Sequence, residues 1–453
     1  MYCQGKSFQF LLFCAGCFSC LQSGFHLGWS SYALPQMFNK NSTIHLTNDE
    51  GFWVASMFLI GSVFGSTVCG LVVDVIGRKT VLVMISFPVC GCWLAIAYAR
   101  YAWELHLARF ILGFTDGAFY SCFPMYLAEI CDANIRGLLI SVTTGVYILG
   151  LLMANVMGEF LDMFVVAIIW GVLSLGTIFY LLVPESPYFH MSKGNFDKAR
   201  DSLEKFVEHK DVENVLASLK NSLKEQDTKR GTWLELFTDS SNRKCLYLVV
   251  LSRVFQQFTG FIGIIMYAQT VFEEFKEVVK PVISVSCYYI LQGTVLIITA
   301  LIVDKVGRKV LLVASITTVF LSLSVVSTYF ILENMFEMNV SDYSWFPILG
   351  LFMYVIGFTF GLQNVPFILI SELFPLHVKT YANALFSVLY GVTAATSTKF
   401  LQYTKDEYGM HVPFIVFTIV GMIGIPYYII CVPETKKKTL EEIQAQLKSK
   451  QKR

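Results

Sequence analysis

Apolar residues in this chain fall in long runs, separated by short polar stretches. Phe8 to Cys20, Val81 to Ala99, Val165 to Val183, Val310 to Ile331 and Phe414 to Val432 each approach the roughly 20 apolar residues that carry a helix across a bilayer. With the less continuous runs between them, the pattern predicts twelve helical spans. They fall at about residues 8–32, 51–73, 80–98, 104–128, 137–158, 163–183, 246–272, 281–303, 310–331, 345–370, 380–402 and 412–432. The long hydrophilic stretch, Pro184 to Lys244, lies midway along the chain. Within it, Phe196 to His209 and Val212 to Glu225 have amphipathic helical spacing and predict short surface helices. The tail from Thr439 predicts another, with Thr439 and Glu442 suited to a capping box.

Composition agrees with this pattern. Of 453 residues, 55% are hydrophobic and 15% charged, with a mean hydropathy of +0.59; an ordinary soluble domain carries about 25% charged residues. A net charge of +1 says little about partners, but the placement of charge orients the chain. Lys and Arg gather at Arg78/Lys79, Arg136, Lys193 to Lys244, Lys305/Arg308/Lys309, Lys379 and Lys436 to Arg453, while the intervening loops carry few. The positive-inside rule makes the basic loops and both termini cytoplasmic, as an even number of spans requires. The glycosylation sequons at Asn41 and Asn339 fall on the opposite, outer side. Lys6 precedes the first apolar run, but that run continues through Gln22 to Trp29 with no small-residue cleavage site, so no cleavable signal peptide is expected. Most of the twelve cysteines lie inside apolar runs; Cys14, Cys17 and Cys20 are helically spaced without a nearby His, which favours packing over metal binding.

The two halves repeat. Asp74 to Lys79 (DVIGRK) is echoed by Asp304 to Lys309 (DKVGRK), Glu129 with Arg136 by Glu372 with Lys379, and Pro184-Glu185-Ser186 by Pro433-Glu434-Thr435. Three paired motifs in the same order predict an internal duplication. Residues 1–183 form an amino-terminal six-helix half and 184–245 a cytoplasmic linker; 246–432 form the carboxy-terminal half and 433–453 a cytoplasmic tail. Parallel six-span halves are a transporter plan, with the solute site expected at the midplane between them.

On these motifs the chain resembles the sugar porters of the major facilitator superfamily. Arg109 to Gly113, Pro124 to Glu129 and Gln256-Gln257-Phe258-Thr259-Gly260 carry the same likeness. The Pro184 to Tyr188 form (PESPY) and the short outer loops are most similar to the insect facilitated trehalose and sugar transporters. The resemblance implies an all-α membrane protein with twelve transmembrane helices in two pseudo-symmetric six-helix halves, the major facilitator fold. It also implies that Arg78, Glu129, Arg136, Glu185, Arg308, Glu372, Lys379 and Glu434 form salt-bridge networks closing the inner face in the outward-open state. Such pairs can break and re-form, giving a bistable element. Positive-inside anchoring would account for the basic residues but not for Glu129 or Glu372 at span ends. Val75 stands where the pattern has a basic residue, which weakens the amino-terminal network.

A sugar presents many hydroxyls, so its site needs amides, hydroxyls and aromatic faces. The resemblance places sugar-binding amides at Gln256, Gln257 and Gln292, though intramembrane Gln also glues helices together. The rest of the site departs from the pattern: Ile262 and Met266 replace an Asn and an aromatic, Thr144 a Gln, Phe367 a Trp, and Tyr390 with Gly391 an Asn-Trp pair. Each lost amide removes a hydrogen bond worth roughly 1 kcal/mol net. Gln363, Asn364 and Tyr390 are candidate replacements.

Proton-linked sugar porters carry an Asp in span one; here Leu27 to Ser31 has no carboxylate, so facilitative uniport is the default. Asp116, inside span four, is a candidate proton site, or else pairs structurally with Arg109 or Arg253. The expected function is facilitated transport of a sugar such as a hexose or trehalose, in the plasma membrane, with the solute and membrane lipid as partners. The alternatives are a non-sugar organic solute, favoured by Ile262, Met266 and Phe367, and a transport-impaired nutrient sensor, disfavoured by the short tail after Pro433. Without a nucleotide-binding motif, nucleophile elbow or metal-ligand cluster, no enzyme, cofactor, metal or nucleic-acid role is expected.

Overall fold

A computed structural model describes residues 4–38, 44, 46–131, 133–206, 212–213, 215–217, 219–220, 232–436 and 442. Seven of the first eight helices need no break: α1 (Gln4–Phe38), α2 (Asn48–Ile76), α3 (Arg78–Tyr98), α4 (Ala102–Ile130), α5 (Ala133–Phe160), α7 (Pro187–Ser192) and α8 (Phe196–Phe206). The exception, α6 (Met163–Ser174), tightens into a 3-10 helix over Leu175–Leu182. After a short α9 (Glu235–Thr238), span seven is divided into α10 (Ser240–Phe258), α11 (Phe261–Met266) and α12 (Ala268–Glu273). There follow α13 (Pro281–Val306), α14 (Arg308–Asn334), α15 (Trp345–Phe360), α16 (Val365–Leu373), α17 (Leu376–Tyr408) and α18 (His411–Ile430).

Among the described residues ten helical stretches are long and apolar enough to cross a membrane. The other two spans, α4 and α17, are long but more polar: α4 carries Glu104, Arg109, Asp116 and Glu129, and α17 carries Lys379, Lys399, Lys405, Asp406 and Glu407. The surface helix expected over 196–209 is observed as α8. The segment 212–225 lies only partly, and Thr439 not at all, within the described residues.

Spans seven and ten differ from the unbroken helices that their apolar runs predict. Gly260, at φ +90, ends the first piece of span seven, and residues 361–364 interrupt span ten between α15 and α16. An apolar run reports burial in lipid but is blind to such a break, because the freed backbone groups are satisfied by residues far away in sequence.

The chain divides into two compact units, Met1–Leu27 with Met37–Arg230, and Gly28–Gln36 with Gly231–Arg453. The carboxy-terminal end of α1 thus groups with the second unit, where the Gln269 backbone N–H donates to Ser31 Oγ at 3.0 Å. In the first unit α2 and α4 pack through small residues. A Cβ on Gly61 or Gly65 would sit about 2 Å from the Phe110 or Phe114 carbonyl, and one on Gly113 or Gly117 equally close to the Phe58 or Ser62 carbonyl. Two facing small-xxx-small motifs bring these backbones together, as lipid-embedded helices require.

The α2–α3 and α13–α14 connections are each one residue long. Gly77 (φ +101) and Gly307 (φ +110) turn the chain where a side chain would be strained and would collide with Glu185 or Glu434, 2.3 and 2.7 Å from the added Cβ. We expect Gly77→Ala and Gly307→Ala each to cost about 1–3 kcal/mol in strain, read as a lowered unfolding temperature in detergent. Gly70→Ala, with nothing within 4 Å of its Cβ, should be neutral or slightly stabilising.

Candidate functional site: two charge clamps and a polar row

Each glycine turn leads into a carboxylate clamp, and the two clamps are built alike. In the first unit Glu185 Oε1 accepts the Arg78 and Lys79 backbone N–H groups at 3.0 and 3.1 Å, at the start of α3. Arg78 Nε and Nη2 both donate to Glu129 Oε1, at 3.2 and 3.0 Å, and Nη1 reaches the Val73 carbonyl. Ser186 Oγ donates to Glu129 Oε2, and Asp74 adds a second ion pair to Arg78 at 2.9 Å. In the second unit Glu434 accepts from Arg308 N at 3.0 Å and Lys309 N at 3.1 Å, at the start of α14. Arg308 Nε and Nη2 lie 3.2 and 3.1 Å from Glu372 Oε1, Nη1 reaches Val303 O, and Thr435 Oγ1 donates to Glu372 Oε2 at 2.5 Å. A carboxylate at a helix N-terminus answers both the unpaired amides and the positive end of the macrodipole.

Burial alone would raise the Glu434 pKa; the backbone N–H groups of Lys436, Arg308, Lys309 and Thr435 outweigh it and hold the carboxylate below its usual 4.5. A lowered native value means that this cap stabilises fully above the ordinary carboxylate range and is lost as pH falls through the native value. Lys379, half-buried on α17, stands within electrostatic reach of Glu372. Arg136 lies on α5, but its side chain is outside the described residues, as is Asn41. Asn339 is exposed, its Oδ1 accepting from Ser341 N at 3.2 Å and Ser341 Oγ at 2.8 Å.

The polar residues read from spans seven, eight and ten converge in the second unit, but they do different work. Gln256 is fully engaged. Its Oε1 accepts from Arg253 Nη1, and its Nε2 donates to the Leu362 and Gln363 carbonyls at 2.5 and 3.3 Å, inside the break of span ten. Gln292 Nε2 donates to Gln363 Oε1 at 3.4 Å and leaves its own Oε1 without a partner. Gln257 is completely buried, and among the described residues neither amide atom has a hydrogen-bond partner. Asn364 is half-buried just before α16, while Ile262 and Met266 are buried in α11. Thr144 is half-buried on α5 of the first unit.

Arg253 is the residue that the sequence brought up only as a partner for Asp116. Its guanidinium stacks among aromatic rings, with Cζ 3.6 Å from the Phe386 centroid, 4.4 Å from Phe367 and 4.7 Å from Tyr390. A charged residue inside span seven, three and four positions before the two glutamines, was the available signal: helical spacing puts all three on one face.

In the first unit Asp116 borders a cavity of about 30 Å³, room for one water, together with Ser19, Gln22, His26, Ser86 and Thr115. Ser23 Oγ donates to Tyr120 Oη at 3.3 Å, and among the described residues Gln22 Nε2 and His26 Nδ1 are buried without partners. Arg109 donates to the carbonyls of His26 at 2.5 Å and Val54 at 3.3 Å and lies over Phe58.

Twelve spans in two units, duplicated carboxylate clamps and buried amides in broken helices define a membrane carrier of the major facilitator type. The chain belongs to the family described as sugar (and other) transporter, whose profile matches residues 11–447. Among curated proteins it is 29% identical over 430 residues to a facilitated trehalose transporter Tret1-2 homolog of Drosophila simulans, covering 94% of this chain and 88% of that one. It is 28% identical to the facilitated trehalose transporter Tret1 of Bombyx mori, covering 94% and 84%. Among solved structures it superposes on the proton:xylose symporter XylE bound to 6-bromo-6-deoxy-D-glucose, with a TM-score of 0.76, 21% identity and coverage of 98% and 99%. The inward open conformation of XylE from E. coli gives a TM-score of 0.79 at 20% identity, covering 97% and 99%.

The two glutamines should separate in a stability measurement. Gln256→Leu strips acceptors and donors from Arg253 and the span-ten break, and should cost about 1–3 kcal/mol. Gln257→Leu removes an amide that bonds nothing in the protein, and should leave the unfolding temperature unchanged or slightly raised. Equal losses in both variants would contradict this division.

Proposed function

We propose that the protein is a facilitative carrier that moves a sugar such as a hexose or trehalose down its gradient by alternating access. It would act in the plasma membrane, with both termini and the Pro184–Lys244 loop cytoplasmic, Asn339 outside and lipid around the spans. Membership of the sugar transporter family and the facilitated trehalose transporters among its relatives support this reading. The observation that carries it to a site is Gln257, a buried amide whose donor and acceptor are both unspent. Gln292 Oε1 adds a second open acceptor, and Phe367 and Tyr390 supply ring faces on the same unit. Gln256, with Gln363 and Asn364, then serves to hold the broken helices that frame these groups. Thr144, half-buried on α5, is a candidate sugar-binding hydroxyl of the first unit.

In this scheme the two clamps are the gate. Each ties the inner ends of three segments together: α2–α3, α4 and the PESP stretch in one unit, and α13–α14, α16 and the PET stretch in the other. A buried ion pair broken by removal of one partner leaves an uncompensated charge, so a substitution shifts the balance between states. Arg308→Ala and Glu372→Gln should each move the population toward inward-open states and slow net flux. Cysteine accessibility at the inner face and uptake into vesicles test this, and wild-type values in both variants would remove the gating role.

Uptake of labelled hexoses, trehalose and polyols into proteoliposomes, with and without an imposed pH gradient, tests the function itself. Span one has no carboxylate, so transport should run downhill and ignore the proton gradient. Gln257→Leu should weaken binding by about 1–2 kcal/mol, roughly five- to thirtyfold in affinity. A second reading, proton coupling, is favoured by Asp116 beside a cavity with room for a water. Uphill accumulation that disappeared in Asp116→Asn would establish that reading and reject uniport.

A further inference from the structure

A neutral sugar gives no reason for Arg253. Its side chain is fully buried, 0% exposed, and among the described residues no Asp or Glu forms an ion pair with it. The rings of Phe367, Phe386 and Tyr390 cover the faces of the guanidinium, and cation–π attraction stabilises a desolvated charge there. Faces are not edges, however. Nη1 is spent on Gln256, while among the described residues Nε and Nη2 have no acceptor. These two nitrogens lie on one side of the planar group with their N–H bonds parallel, the fork that fits the two oxygens of a carboxylate.

The same protein shows what normally fills that edge. In Arg78 and in Arg308, Nε and Nη2 both donate to a glutamate, Glu129 or Glu372. In Arg253 the edge is open. One helical turn further along α10 and on the same face comes Gln257, with an unspent donor and an unspent acceptor. Of the rings around it Phe386 is 2% exposed and Phe367 52% exposed, so the cage reaches the surface of the unit on the Phe367 side.

We infer that Arg253 and Gln257 form a recognition pair for an acidic sugar, a uronate or aldonate. Its carboxylate sits on the Nε/Nη2 edge of Arg253 and a neighbouring hydroxyl on the Gln257 amide. This deepens the proposed function and rests on it. Binding the anion supplies the counter-charge that the buried cation lacks, so acidic solutes are selected by the charge and not merely tolerated.

The test uses the purified full-length protein in proteoliposomes with labelled D-glucuronate and D-glucose. Wild type should take up glucuronate saturably, and excess glucose should compete. Arg253→Gln should lose roughly tenfold or more of its glucuronate transport relative to its glucose transport, and Arg253→Lys, which keeps the charge without the fork, should fall between. Should Arg253→Gln fold poorly, the wild-type protein decides: glucuronate should raise its unfolding temperature more than equimolar glucose does. Wild-type transport of glucose with no uptake of, inhibition by or protection from glucuronate overturns this inference and leaves the sugar carrier standing. If neither compound is moved and neither protects, the sugar reading falls and this inference with it.

Discussion

Within the hydrocarbon core every backbone N–H and C=O must find a partner inside the protein, and the arrangement of polar side chains in this chain follows from that demand. Unbroken helices meet it by themselves. Span ten does not, because residues 361–364 interrupt it, and Gln256 reaches from span seven to take two of the freed carbonyls. The helix starts at Arg78 and Arg308 have the same deficit at the membrane edge, and Glu185 and Glu434 meet it. The residues that look most like chemistry are therefore, in the first instance, answers to a backbone problem.

The duplicated clamps show how such an answer becomes a mechanical part. A glycine turn brings two helix ends together, one glutamate caps the second helix, and the arginine beside that cap turns back to another glutamate on a neighbouring span. The hydroxyl of Ser186 or Thr435 then closes the ring on that glutamate. No member can be removed without stranding another, so the ring is either whole or broken. The first copy is drier, with Arg78 buried and supported by Asp74 as well as Glu129; Arg308 and Glu372 are more accessible to water. Val75 stands in the place of a basic residue, and Arg78 is bonded to Glu129 and Asp74.

Much of this was legible in sequence because it is local or repeated. The span positions come from apolar runs, and the clamps come from three short motifs occurring twice in order. Gln256 and Gln292 were singled out by resemblance, and Gln363 as a candidate replacement where the chain departs from the pattern. What was not legible is how the duties divide. Adjacent glutamines in a QQ pair look equivalent, but consecutive helical positions point about 100° apart, so one meets the span-ten break and the other does not. The break itself is hidden in an apolar run, and the partner of Gln256 lies 106 residues away. The pairing of Asp116 was equally open in sequence; the fold sets it beside Ser23 and a water-sized cavity, and turns Arg109 toward the His26 and Val54 carbonyls.

The substitutions that appear to impoverish the site gain a different meaning from Arg253. Ile262 and Met266 are buried in α11 and withdraw polar capacity from the upper part of span seven. One turn before Gln257 stands a far stronger polar group, a cation fixed between three rings. A phenylalanine at 367 suits that arrangement, since its ring face can cover the guanidinium without offering a donor of its own to compete for an acceptor. On the inferred Arg253–Gln257 pair, the apolar residues at 262 and 266 and the arginine at 253 act in one direction, toward a solute that carries its own charge.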